Sequence, residues 1–256
     1  MKNNTQIKAL LPDAQKAELG ILTDIDAFCR KNKLKYTLGF GTLLGAVRHK
    51  GFIPWDDDFD LYIFDDDYDN AIEYIRKELP RCMFLEDEKS EPLYFHGWAH
   101  VKDLNSKVKC KQFLQDNLYA HNGLCIDLYR TYKMKFSELH DFLNEENKKY
   151  IKRRKLKGVI QEEEYRKRII ELEKNINSPN ERKGDNSIIY SMIAMYKTKH
   201  MKQEDVFPLK KYEFSGHSFL GPYNADAILK SLYGDYMKLP PEEKRVQHYS
   251  SISFNK

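Results

Sequence analysis

In the run "DFDLYIF" (Asp58–Phe64), the apolar side chains of Phe59, Leu61 and Ile63 alternate with Asp58, Asp60 and Tyr62. A period of two belongs to a β-strand, which sends successive side chains to opposite faces. Both carboxylates therefore point the same way from neighbouring positions of one face. Like charges held that close oppose a compact state unless a cation or an exposed setting relieves them. The fold has to place this strand rigidly in a sheet with one acidic face.

The surrounding patterns supply such a sheet. "KYTLGFG" reads as a short strand entering a turn, and "TLLGAVRHKG" as a short helix closed by Gly51. From Ile7 to Lys33, Leu11, Ala14, Leu19, Leu22, Ile25 and Phe28 recur at helical spacing, with a break expected at Pro12. "DDDYDNAIEYIRKEL" is a helix whose acidic first turn (Asp65, Asp66, Asp67, then Asp69) suits the positive end of the macrodipole. "YFHGWAHVKDLNSKV" and "GLCIDLYR" read as further strands, the second presenting Asp127 opposite to Leu124, Ile126 and Leu128.

From Met134 to Ile176 the pattern turns charged and helical, with the basic run "NKKYIKRRKLKG". A solvated face is the plain reading of that run, and an anionic membrane surface or acceptor polymer the functional one. A loop is expected over 177–186, a helix over "SIIYSMIAMYK", then short strands and a helix from Ala225 to Leu232. The expected fold is α+β: a mixed sheet flanked by helices, with a mainly helical insertion. Three segments follow: a core at 1–133, the insertion at 134–200 and a C-terminal part completing the core at 201–256.

Composition narrows the function. A net charge of +4 over 256 residues lacks the basic footprint of a dedicated nucleic-acid binder. Cys29, Cys82, Cys110 and Cys125 form neither a CxxC pair nor a zinc-finger spacing, which predicts free thiols in a reducing compartment. With no apolar leader and no long apolar run, a cytoplasmic location is expected.

Three chemistries compete for the acidic stretch. Asp56, Asp58 and Asp60 match the first ligands of a calcium loop, but its glycine and final glutamate are replaced by Leu61 and Asp67. "GFGTLLG" misses both the dinucleotide fingerprint and the P-loop. A glycine turn, a D-x-D strand and a third acid on a neighbouring strand fit a nucleotidyltransferase-type site, where carboxylates hold paired Mg²⁺ ions about 3.5–4 Å apart for phosphoryl transfer.

"GTLLGAVRHKGFIPWDDDFD" resembles the signature of the LicD family of phosphotransferases, which includes bacterial cholinephosphotransferases and fukutin-type transferases. "VFPLKKYEFSGHSFLGPYNADAILKSLYGDYMKLPPEEK" resembles that family's C-terminal region. The resemblance implies a nucleotidyltransferase-like fold and transfer of an alcohol phosphate, favoured as phosphocholine, from a CDP-activated donor to a glycan hydroxyl with release of CMP. A ribitol or glycerol phosphate donor, and NMP transfer from an NTP, remain as alternatives, as does a metal-stabilised binding module without turnover. By position it implies Asp58, Asp60 and Asp127 as catalytic metal ligands for Mg²⁺ or Mn²⁺, with Asp56 beside them. Phe59 departs from the smaller aliphatic residue common in the family.

Around that centre, Gly41 and Thr42 are expected to cradle a phosphate, and Arg48, His49 and Lys50 to neutralise it. Trp55 and Tyr62, with Tyr94, are candidates for an aromatic box around a quaternary ammonium. Among 17 tyrosines, however, packing at the core edge is the commoner role. His96 and His100 of "HGWAH" read as structural, and Tyr233, Gly234 and Asp235 as a turn.

Overall fold

The protein is seen in a computed structural model that describes residues 2–111, 113–176, 183–194 and 197–255. Helix α1 (Lys2–Lys31) leads through strand β1 (Tyr36–Leu38) and α2 (Phe40–His49) to β2 (Phe59–Phe64), which carries Asp60 and begins one residue after Asp58, where the strand was expected to include both, and then to α3 (Asp65–Glu78). Strands β3 (Met83–Glu86), β4 (Ala99–Asp103), β5 (Ser106–Cys110) and the long β6 (Cys125–Lys135) follow. The pair α4 (Leu139–Leu156) and α5 (Glu162–Ile176) precedes β7 (Ile188–Ala194) and β8 (Lys197–Lys202). The chain ends with the one-turn α6 (Gln203–Val206), the hairpin β9 (Lys210–Phe214) and β10 (His217–Gly221), α7 (Ala225–Tyr233) and β11 (Tyr249–Phe254).

The central sheet has the order β1-β2-β6-β4-β3, with β7 and then β8 added beside the far end of β6. Strands β2 and β6 are parallel and the other pairs antiparallel, so the sheet is mixed. Helix α1 serves two apolar clusters. Ala14 packs with Val108, Leu124, Tyr249 and Ile252 over the β5–β11 pair, while Ile21, Leu22 and Ile25 enter the main core with Leu38, Leu61 and Leu128. Burial on both sides of Pro12, at Leu11 and Ala14, holds the two turns together, and the helix continues where a break was expected.

Two further expectations are corrected. The segment "SIIYSMIAMYK" enters strand β7, because Ile189 and Met192 are buried at the sheet's margin and its backbone pairs with β6 and β8. The left-handed residue closing α2 is Lys50 (φ 57°), not Gly51. Residues 177–182 of the expected loop lie outside the described residues. Asp65, Asp66 and Asp67 fall in the first turn of α3, but the helix start has no side-chain cap bond: Asp65 and Asp69 pair with Arg130, and Asp67 accepts the Lys35 N–H. All four cysteines are free, and no helix among the described residues is long and apolar enough to cross a membrane.

Candidate active site

Strand registers build the centre. Across the parallel pair Asp60 stands opposite Asp127; across the next pair Asp127 stands opposite His100; across the last His100 stands opposite Glu86. Four ionisable side chains thus form one row over β2, β6, β4 and β3. The turn before α2 is clamped to this row: Gly39 N–H donates to the Asp60 carbonyl, and Asp60 N–H donates to Thr42 Oγ1 at 2.8 Å. Phe40 holds φ at 31°, with its N–H donating to the Tyr62 hydroxyl and its ring against Tyr62 and Tyr129.

The aspartate run ahead of β2 divides by direction. Asp57 is fully buried and accepts the backbone N–H groups of His248 and Tyr249, tying the run to the C-terminal strand. Asp56 and Asp58 face a cavity of about 370 Å³, into which Asp60, Asp127, Gly41 and His248 also look. Ligand atoms of Asp56, Asp58 and His248 lie within 4.8 Å of one another. A Cβ on Gly41 would come within 2.9 Å of Asp56 Oδ2, so only glycine lets α2 approach that carboxylate so closely.

Electrostatics match this crowding. Burial and the Asp58 charge push the Asp56 carboxyl up to about 8, and burial with the same charge pushes Asp127 up to about 7. Asp60 is raised well above the carboxylate range by burial and by Asp58 and Asp127. Burial opposes the charge of His248, but its bond to Asp57 and the field of Asp58 outweigh it and push the imidazole up to about 10. Carboxylates whose proton affinity is raised by burial and by one another, grouped on and just ahead of the strands, are a donor set suited to a hard divalent cation.

Asp127 is held from three sides. Trp98 Nε1 and Tyr129 OH both donate to Oδ2 at 3.0 Å, and His100 Nε2 lies 3.3 Å from Oδ1. The two histidines read as structural, His96 and His100, both line the cavity; His96 pairs with Asp116 at 2.9 Å. The position of His100 follows from the register of β4, which the four-residue, helix-like spacing of the two histidines obscures.

The structure brings Gly41, Asp56, Asp58, Asp60 and Asp127 together and leaves other candidates outside the cavity lining. Thr42 is buried, its hydroxyl spent on Asp60. Arg48 donates to the Tyr236 carbonyl and to His49, His49 stands edge-on to Trp55, and Arg245 covers the Trp55 ring at 4.4 Å. Lys50 caps α2. Tyr62 is sealed in the core, and Tyr94 is buried with its hydroxyl on the Trp98 carbonyl. The aromatic walls are instead Phe40, Trp98, Phe113, Tyr129, Tyr233 and Tyr249. Gly234 (φ 68°) ends α7 as the expected turn, which delivers Tyr233 to the site.

Sequence reasoning missed His248 and Glu18. His248 lies 190 residues beyond Asp58 (248 − 58) and reaches it only through β11 pairing with β5. Glu18 on α1 is fully buried, and neither carboxyl oxygen has a hydrogen-bond partner among the described residues. Burial and the nearby Asp57 and Asp58 charges raise it well above the ordinary glutamate range. Its place on the buried stripe of α1, one turn from Gln15, which donates to the Asp56 carbonyl, was the available signal.

Comparison with known proteins gives the same centre a lineage. Residues 33–163, from β1 through the strand bearing Asp127 and into the helical pair, match the family model described as LicD/FKTN/FKRP, nucleotidyltransferase domain. The chain is 27% identical over 267 residues to the lipopolysaccharide cholinephosphotransferase LicD of Haemophilus influenzae, covering 94% of this chain and 97% of that protein. Uncharacterised proteins of Rickettsia prowazekii and Rickettsia typhi are each 49% identical over 47 residues, 18% of this chain. The chain belongs to the LicD/FKTN/FKRP nucleotidyltransferase-domain family.

Proposed function

We propose that the protein is a phosphotransferase that moves phosphocholine from CDP-choline onto a sugar hydroxyl of a cell-surface glycan or its precursor, releasing CMP. The observation that carries this reading is the Asp60–Asp127 rung, which opens with Asp56 and Asp58 onto one cavity. Family membership and the Haemophilus relative support phosphoryl transfer of this kind. A charged alcohol suits the cavity better than ribitol or glycerol. Among its lining residues are carboxylates and six aromatic rings but no Lys or Arg, and aromatic faces attract a quaternary ammonium.

Asp58, Asp60 and Asp127, with Asp56 adjoining, would hold Mg²⁺ or Mn²⁺. Such an ion would supply charge stabilisation to the donor diphosphate at a lining that holds no Lys or Arg. The remaining steps belong to the protein. Gly41 lets α2 close on the Asp56 carboxylate, and the imidazolium of His248 adds a positive charge at the same rim. The acceptor oxygen attacks the phosphorus bearing choline, the bond to the CMP oxygen breaks, and the hydroxyl proton passes to Asp127. A carboxylate facing the cavity beside the metal centre can act as that general base when the hydroxyl comes within hydrogen-bond reach. Trp98 and Tyr129 fix that carboxylate through Oδ2, and Oδ1 faces His100 Nε2 at 3.3 Å.

The test is incubation with CDP-choline labelled in the choline, divalent metal and a lipopolysaccharide acceptor lacking phosphocholine. Label in the glycan with one CMP released per transfer supports the proposal. Pyrophosphate released from CTP, with no transfer from any CDP-alcohol, would replace it with nucleotidyl transfer.

A further inference from the structure

One group of donors stands outside the four acids assigned to the hard-cation centre except for a single shared residue. The antiparallel register of β4 and β6 sets His100 opposite Asp127 and Lys102 opposite Cys125. Cys125 and Asp127, two apart on β6, project to the same face of the sheet. His100 Nε2, Cys125 Sγ and Asp127 Oδ1 consequently lie within 4.8 Å of one another, and all three residues line the cavity.

Hydrogen bonds behind the imidazole and the carboxylate select which atoms are offered. Glu86 Oε2 lies 3.1 Å from His100 Nδ1, so the ring directs Nε2 toward Asp127. A carboxylate behind the far imidazole nitrogen is the usual way a metal-bound histidine is oriented and made more basic. Trp98 and Tyr129 occupy Asp127 Oδ2, which leaves Oδ1 as the atom facing His100 at 3.3 Å and the Cys125 sulfur at 3.9 Å. With Nδ1 turned to Glu86, Nε2 faces Asp127 Oδ1 at 3.3 Å and Cys125 Sγ lies 3.9 Å from that oxygen, three atoms that one cation can bond.

We propose that His100, Cys125 and Asp127 form a binding site for a thiophilic divalent cation of the Zn²⁺ or Co²⁺ class, separate from the Asp56–Asp58–His248 group. One nitrogen, one thiolate sulfur and one carboxylate oxygen form a zinc-type donor set, with a fourth position open to the cavity. Mg²⁺ prefers a shell of oxygens and does not compete for the sulfur. Binding forms metal–nitrogen, metal–sulfur and metal–oxygen bonds, and the thiol proton leaves to solvent. Because Asp127 is shared, occupancy withdraws it from the transfer chemistry and makes the site inhibitory. That consequence rests on the proposed function, whereas the binding does not.

Cobalt is the probe, since a Co²⁺–thiolate bond absorbs in the near ultraviolet and carboxylate-bound Co²⁺ does not. The full-length protein titrated with Co²⁺ should develop that band and lose it on addition of Zn²⁺. Cys125→Ser should abolish it, Cys110→Ser should retain it, and His100→Gln should weaken Co²⁺ binding about 10–100-fold. Asp58→Asn should keep the band, which separates the two sites. Absence of the band in the wild-type protein, or its persistence in Cys125→Ser, would overturn the proposal. Should Cys125→Ser fail to fold, the His100→Gln titration decides, and an unchanged affinity there rejects the site. Transfer inhibited by Zn²⁺ equally in wild type and Cys125→Ser would reject the inhibitory role while leaving the transferase reading intact.

Discussion

Asp60 of β2 lies directly opposite Asp127 of β6 across a parallel strand pair. Burial raises the proton affinity of both, with the Asp58 and Asp127 charges adding to it at Asp60 and the Asp58 charge at Asp127, and both face the same cavity. The sheet therefore carries a standing electrostatic cost that a bound cation offsets.

That cost should be visible as a trade between activity and stability. Asp58→Asn is expected to lower phosphocholine transfer by about a thousandfold, because a carboxylate ligand is lost. The same variant should unfold at a higher temperature than wild type in EDTA, because a repelling charge is removed. Thermal unfolding with and without chelator, beside the labelled-choline assay, checks both halves.

The pH dependence of the metal-free protein has a definite sign. Asp127 and Asp56, at about 7 and about 8 in the folded state, lie above their unfolded values near 4. The folded state binds the extra protons, so this stability is fully present below about pH 4 and is lost as pH rises through about 7 to 8. Glu18, also raised, acts in the same direction. The unfolding midpoint in EDTA should fall from about pH 6 to about pH 8.5, stabilisation by Mg²⁺ should grow over that window, and Glu18→Gln should flatten the slope. A midpoint that rises with pH in EDTA would refute this description of the cluster.

Gly41→Ala places a methyl group within 2.9 Å of Asp56 Oδ2. The backbone there is helical and tolerates alanine, so stability should change by less than about 1 kcal/mol. Metal and donor affinity should drop about tenfold or more as Asp56 is displaced. Calorimetric titration of the variant with Mg²⁺ and CDP-choline measures that loss.

Thr42→Val should behave differently. The hydroxyl accepts the Asp60 N–H in a buried setting, and an isosteric valine leaves that donor unpaired. The expected cost is about 1–3 kcal/mol in denaturant unfolding. Thr42→Ser, which keeps the oxygen, should recover most of it.

The contrast between Thr42 and Gly41 shows what a sequence can and cannot reveal about such a site. Alternation along "DFDLYIF" was enough to locate the strand and aim Asp58 and Asp60 together, because strand geometry is local. Asp127 was also legible, since a lone acid within an apolar alternation stands out. Which residues meet across strands depends on register, which single-strand patterns do not encode. His100 was therefore read as structural, and His248, brought in by β11, gave no signal at all. Trp55 and Tyr62 were drawn toward the site by proximity in sequence, although Tyr62 faces the core under Phe40 and Trp55 lies beneath Arg245. The helix expected at "SIIYSMIAMYK" failed for a related reason: a short apolar run fits either a buried helix or a strand, and pairing with β6 decided it.

The proposed transfer requires that the acids on and beside β2 and β6 bind a divalent cation through which the donor diphosphate is held. Isothermal titration of the wild-type protein with CDP-choline, in Mg²⁺ and then in EDTA, tests it most directly. Binding is predicted in Mg²⁺, abolished by EDTA and abolished by Asp58→Asn. Equal CDP-choline affinity with and without metal, or in the Asp58→Asn protein, would contradict the claim.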